Sequence, residues 1–123
     1  MKRSAIQGLD IEQLVARFEA IGLEQDRAIH TDENAIYNRL YREMELVEQE
    51  LKGRDGDQRS ALLPLLQHKN PQVRLTAAIV LLALEPKVAR TALQKMWDTQ
   101  EFPQAGDAMG MMRALDEGRY VPT

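Results

Sequence analysis

Cysteine is absent from the 123 residues, which excludes disulfides, iron–sulfur clusters and cysteine zinc sites. Nothing points to an oxidising compartment, so a cytoplasmic setting is the expectation. Aromatic side chains make up only 5% of the chain, and the core must therefore be built from aliphatic residues. The two histidines, His30 and His68, each stand alone, without the i, i+4 histidine pair or neighbouring carboxylates of a metal helix. Serine occurs only as Ser4 and Ser60, neither in a Gly-x-Ser-x-Gly turn, so a serine hydrolase is set aside. No Gly-rich phosphate loop with its lysine is found. The "GRDGD" stretch at 53–57 lacks the spaced ligands and closing Glu of a calcium loop. No cofactor, metal or catalytic residue is therefore expected. The start, "MKRSAIQGLD", carries two basic residues but not the apolar stretch that follows them in a signal peptide, and export by that route is not expected. No membrane segment is expected either.

What the chain does contain is helix punctuation, at a length suited to a single domain over 1–123 with an ordinary core. Asp10 is a cap candidate for a first helix with Leu14, Phe18 and Ile21 on one face and Val15 beside them, fading near Gly22 or continuing to Ile29. Thr31 is placed to cap a second helix with Asp32 and Glu33 in its first turn. Its apolar stripe is Ile36, Leu40, Met44, Val47 and Leu51, its other positions are charged, and Gly53 ends it. "GRDGD" is then a linker.

The second half is more regular. At an offset of 31 residues, Ala61, Leu62, Leu65 and Leu66 map onto Ala92, Leu93, Met96 and Trp97, and Leu84 onto Leu115; Pro71 and Pro103 are 32 apart. Each unit reads as a short helix, a turn with proline, and a second helix. Pro71 after Asn70 fits the first helical position, where its missing N–H costs nothing, and Pro86 and Pro103 can do the same. Helix 71–84 ends in an unbroken apolar run from Ala77 to Leu84. With Val73, Ala77, Val80, Leu81 and Leu84 on one stripe and Leu75, Ile79 and Leu82 on another, it is apolar on nearly every side, the mark of a buried helix. It is expected to be central, covered by helix 57–67, by the second repeat and by the N-terminal helices.

The segment "ALLPLLQHKNPQVRLTAAIVLLAL", from Ala61 to Leu84, resembles one HEAT-type repeat, with a mid-helix Pro64, the Asn-Pro turn and the Val73-Arg74 pair; Lys87 to Gly118 resembles a less regular second one. The whole chain, through "LVARFEAIGLEQDRA", "YNRLYREME" and "QAGDAMGMMRALDEG", is similar to a family of small bacterial proteins known as a domain of unknown function, number two thousand and nineteen. That resemblance implies an all-α fold of five to six helices: an N-terminal pair over 10–52 as a cap, about two HEAT-like repeats over 57–118 as a short α-solenoid, and a tail, 119–123. It brings no activity with it. It also implies that Arg74 links neighbouring repeats through an acidic partner, for which Asp107 is the candidate.

Three function classes follow. The first is a non-enzymatic protein–protein interaction module, a small adaptor or an immunity-type inhibitor, monomeric or homodimeric. Its candidate surface is Tyr37, Asn38, Tyr41 and Arg42, where two rings four residues apart present hydroxyls, together with Arg74. Its acidic first half, net −4 over residues 1–53, suits a basic partner. The second is a nucleic-acid-binding module using Arg54, Arg59, Lys69, Arg74, Lys87, Arg90 and Lys95; residues 54–98 net +3, well short of a dense basic stripe. The third, an enzyme with buried carboxylates near Asp107, has least support because no nucleophile, base and orienting group can be assembled. Met109, Met111 and Met112 and the packed Trp97 read as core filling. Gly106 and Gly110, costly inside a helix, are expected to allow close approach of a neighbouring core helix.

Overall fold

The computed structural model describes residues 3–123, so the first two residues of "MKRSAIQGLD" lie outside the described residues. Among the described residues the protein is all-α. The described residues form seven helical elements rather than five to six: α1 (Arg3–Gln7), α2 (Ile11–His30), α3 (Asn34–Gly53), a 3-10 helix (Gln58–Gln67), α4 (Pro71–Leu81), α5 (Pro86–Asp98) and α6 (Gln104–Asp116). The short α1, which places Ile6 in the core, has no counterpart in the sequence reading. The chain divides into two compact units, residues 1–61 and 62–123.

In the first unit α2 packs on α3, and α1 on α3. Asp10 caps α2 in a reciprocal box: its carboxylate accepts from the Gln13 N–H at 2.8 Å, and the Gln13 side chain accepts from the Asp10 N–H at 2.9 Å. Leu14, Phe18 and Ile21 are buried as their spacing predicts, and the helix runs through a buried Gly22 to His30. Thr31 does not cap α3. It closes α2 instead, its hydroxyl within donating reach of the Glu33 carboxylate at 2.6 Å and of the Arg27 carbonyl at 3.0 Å. Asp32 then takes a left-handed φ of 56°, so α3 starts at Asn34, later than expected. Leu40, Met44, Val47 and Leu51 are buried, but Ile36, in the first turn, is exposed.

The stretch expected to be an α-helix over 57–67 is a 3-10 helix with Pro64 inside it. Pro64 has no N–H to give, and its ring crowds the carbonyl four residues earlier, so the tighter winding replaces the α-helical ladder. In the second unit α4 packs against α5 and α6, and α5 against α6. Asn70 caps α4, accepting from the N–H groups of Gln72 at 2.9 Å and Val73 at 3.3 Å, with Pro71 in the first turn. The helix ends at Leu81, three residues early, in a turn where the Glu85 N–H reaches the Leu81 carbonyl at 2.7 Å. Leu75 and Leu82 are each 3% exposed and Ile79 is half-buried, so the second stripe is not a bare surface.

Two further expectations change here, and the tail is placed. Pro103 sits at the cap position of α6 rather than inside it. Gly106 and Gly110 are exposed, and a Cβ built on either meets nothing within 4 Å, so no core helix approaches them. In the tail the backbone N–H groups of Arg119 and Tyr120 both reach the Ala114 carbonyl, while Val121 points outward, 71% exposed.

Candidate functional site

The predicted Arg74–Asp107 link does not form. Arg74 instead grips Glu101, with Nη1 donating to Oε2 at 2.9 Å and Nη2 to Oε1 at 2.5 Å, and a third bond to the Lys69 carbonyl at 3.3 Å. The pair is two-pronged, the strongest arrangement open to a guanidinium and a carboxylate. Thr99 donates a further bond to Glu101 at 2.9 Å, and together these partners hold the Glu101 carboxyl down at about 2, the Arg74 hydrogen bonds contributing most. Asp107 lies in the first turn of α6, on its exposed side, and partial desolvation pushes its carboxyl above the ordinary range. The physical reason for the switch is position: Glu101 lies in the turn ahead of α6, facing α4 across the connection, whereas Asp107 is already one turn up the helix. Repeat register alone points to the acid inside the helix and passes over the one before it.

The other predicted surface residues, Tyr37, Asn38, Tyr41 and Arg42, all lie on α3 in the first unit, whereas Arg74 belongs to the second. Tyr41 is 54% exposed, Asn38 and Arg42 are exposed, and Tyr37 is half-buried. A depression of ≈ 530 Å³ beside them is bounded by α3 alone, through Arg39, Arg42, Glu43, Glu45, Leu46 and Gln49. One helix supplies a single wall, so it has no second side with which to hold a ligand.

A groove with two sides occurs in the second unit. It is ≈ 420 Å³ in volume and is lined by Leu66 and Gln67 at the end of the 3-10 helix, Arg74 on α4, and Lys87, Val88, Thr91, Ala92 and Lys95 on α5. Lys87, Thr91 and Lys95 repeat every four residues and so form one line along α5, with Val88 and Ala92 beside it. Val88 is 47% exposed although α5 is held to the core through Ala89, Leu93 and Met96. Neither lysine takes part in an ion pair or hydrogen bond through its side chain, and Arg74 is already neutralised by Glu101. The groove is therefore apolar along its floor and carries two lysines that form no ion pair, although Lys95 also feels the Glu101 carboxylate. Sequence reasoning placed Lys87 and Lys95 among diffuse basic residues and missed Val88 and Thr91. The signal was present in the i, i+4, i+8 spacing from Lys87, but the opposing wall from the 3-10 helix was not.

The remaining cations of 54–98 are mostly committed. Arg54 pairs with Glu50 and also donates to the Leu9 carbonyl at 2.7 Å; Arg90 pairs with Asp116. Arg59 is 3% exposed and holds Asp57 with two bonds of 2.9 and 2.7 Å, which lower the Asp57 carboxyl. Nearby, burial raises the Glu48 carboxyl against the pull of Arg59. His30 sits at the end of α2, Nδ1 against the Asp26 carbonyl, and His68 follows the 3-10 helix, accepting from the Asn70 N–H at 3.0 Å. Among the described residues no three His, Asp or Glu side chains cluster to hold a metal, and no helix is long and apolar enough to cross a membrane.

The model of one protein family, described as Domain of unknown function (DUF2019), matches residues 12–116. The chain belongs to the DUF2019 family. It is also similar to a solved structure, the crystal structure of the protein RPA1889 from Rhodopseudomonas palustris CGA009. The two share 42% sequence identity and a TM-score of 0.94, over 96% of this chain and 98% of that one. No curated protein matches the chain. The DUF2019 match runs from α2 to α6, so the Arg74–Glu101 pair and every residue lining the α5 groove fall within the family's span.

Proposed function

We propose that this DUF2019 protein is a non-enzymatic protein–protein interaction module, a small cytoplasmic adaptor or inhibitor, whose binding surface is the groove along α5. The observation that carries this reading is the coincidence of an exposed apolar residue, Val88, with two unpaired lysines in a two-walled groove. A valine left open beside charges is the usual anatomy of a docking surface, an apolar centre with a polar rim. The second unit is read as a short HEAT-like solenoid: the 3-10 helix and α4 form one repeat, α5 and α6 the next. Equivalent positions support that reading by sharing their environment. Leu62 and Leu93 are buried alike, as are Leu65 and Met96, Gln72 and Gln104, and Val80 and Met112.

Protein is favoured over nucleic acid because four of the seven cations over 54–98, Arg54, Arg59, Arg74 and Arg90, are spent in ion pairs within the chain. Phosphate recognition draws on cations free to displace counterions. The test is a photoreactive benzophenone side chain placed at Thr91, on the groove, and at Glu12, on the exposed face of α2, in the native host. A discrete protein adduct from Thr91, absent from Glu12 and unaffected by nuclease, is expected. Adducts lost on nuclease treatment, or equal from both positions, would overturn the reading.

A further inference from the structure

We infer that the α5 groove takes an acidic amphipathic helix of the partner, docked along α5 with carboxylates on Lys87 and Lys95. This rests on the interaction-module reading and names the chemistry of the partner. The argument starts from spacing. Lys87 and Lys95 are eight residues apart on one line of α5, about 12 Å at 1.5 Å per residue. Acidic residues seven or eight apart on a second helix span the same distance, so two aligned helices bring both pairs into register.

Between the lysines the surface is apolar or small: Val88 and Ala92 on α5, with Leu66 facing them from the 3-10 helix. A partner presenting carboxylates alone would leave this floor wet. A partner with an apolar residue between its two acids covers Val88 and gains from its burial.

Charge selects the sign. The lining contains no acidic residue, neither lysine forms an ion pair or side-chain hydrogen bond, and Glu101, whose own bonds go to Arg74 and Thr99, acts on Lys95 only through its charge. The third cation, Arg74, is occupied by Glu101, so the charge the groove offers a partner is that of the two lysines. Two exposed lysines without ion-pair partners on an apolar floor suit an acidic protein helix. A phosphate backbone engages longer runs of cations, and single-stranded nucleic acid also draws on exposed aromatic platforms; the groove has neither.

The experiment uses the full chain and a fluorescein-labelled helical peptide of about 16 residues, four turns and more, with Glu at two positions eight apart, Leu midway and Ala and Gln elsewhere. Companion probes replace both Glu by Gln or by Lys, and a uridine oligonucleotide of similar length stands for nucleic acid. Fluorescence anisotropy is expected to show preferential binding of the Glu peptide, weakened about tenfold or more between about 50 and about 300 mM salt. The double variant K87E/K95E is expected to lose the Glu peptide and to gain the Lys peptide. V88D is expected to weaken binding while circular dichroism stays unchanged, as all three side chains are exposed.

Equal binding of the Glu and Gln peptides, failure of the charge swap, or preference for the oligonucleotide would each sink the proposal. So would sedimentation showing that the chain self-associates through Lys87 and Lys95, since the occupant would then be a second copy. A protein adduct at Thr91 combined with indifference to the Glu peptide leaves the interaction module standing and removes the acidic helix alone. Absence of any adduct at Thr91 removes the module reading itself.

Discussion

Gln72 and Gln104 are hydrogen bonded to each other in the interior, the Gln104 amide donating to the Gln72 carbonyl oxygen at 2.9 Å, with both side chains buried. Each is the residue directly after a proline, Pro71 or Pro103, so two equivalent positions of the internal repeat meet and tie the start of α6 to the start of α4. A buried amide is costly without a partner, and here each glutamine answers the other.

Removing one side of that bond is therefore expected to be worse than removing both. Gln104→Leu should destabilise the fold by about 1–3 kcal/mol, by stripping Gln72 of its buried donor. In a double-mutant cycle with Gln72→Leu, the combined cost should fall short of the sum by about 0.5 kcal/mol or more. Urea denaturation of the four proteins checks this, and simple additivity would mean that the bond carries no coupling.

The Arg74–Glu101 pair gives the second unit an acid-sensitive clasp. Glu101 has its carboxyl lowered from the ordinary 4.5 to about 2 by Arg74 and Thr99. A group whose folded-state value is depressed stabilises above its unfolded value and loses that contribution as pH falls through the folded one. The clasp should thus be intact at neutral pH and weaken from about pH 4.5 downward toward 2. With the side chains partly exposed, Glu101→Gln is expected to cost only about 1–2 kcal/mol at pH 7. The difference from the native protein should vanish near pH 2, as read by denaturation across pH.

Gly106, in the first turn of α6, and Gly110, in its interior, both have open space where a Cβ would be. Gly106→Ala and Gly110→Ala should each stabilise the protein by about 0.5–1 kcal/mol, through the lower entropy of the unfolded chain. A rise in Tm on each substitution checks it; a fall would show that something approaches that face of α6.

Leu75 tests whether the second apolar stripe of α4 is core. At 3% exposure, Leu75→Ala is expected to cost about 2–5 kcal/mol. A cost below about 0.5 kcal/mol would mark it as a surface position.

Much of the architecture could be read from spacing. The α2 and α3 stripes, the cap at Asp10, the start of α4 at Pro71 and the burial of α4 follow from local periodicity and from groups that reach only two or three residues. The start of α3 was misplaced because Thr31 has two carbonyls within reach behind it and a backbone ahead that turns left-handed at Asp32. Either cap role satisfies its hydroxyl, and nothing local chooses between them. The exposure of Tyr41 was legible too, since it stands off the stripe formed by Leu40 and Met44, whereas its neighbour Tyr37 is half-buried.

By itself, the sequence determined the helical class, an aliphatic core without disulfides, and the apolar character of α4. These depend on composition and on a period of 3.6 residues. Tertiary structure alone decided that Arg74 takes Glu101 rather than Asp107, that Gly106 and Gly110 face open space, and that Lys87 and Lys95 share a groove with Leu66. Each of these depends on which side of one element meets another. A linear pattern holds the faces of every helix but not their pairing, because packing is settled by the combined burial of residues far apart in the chain.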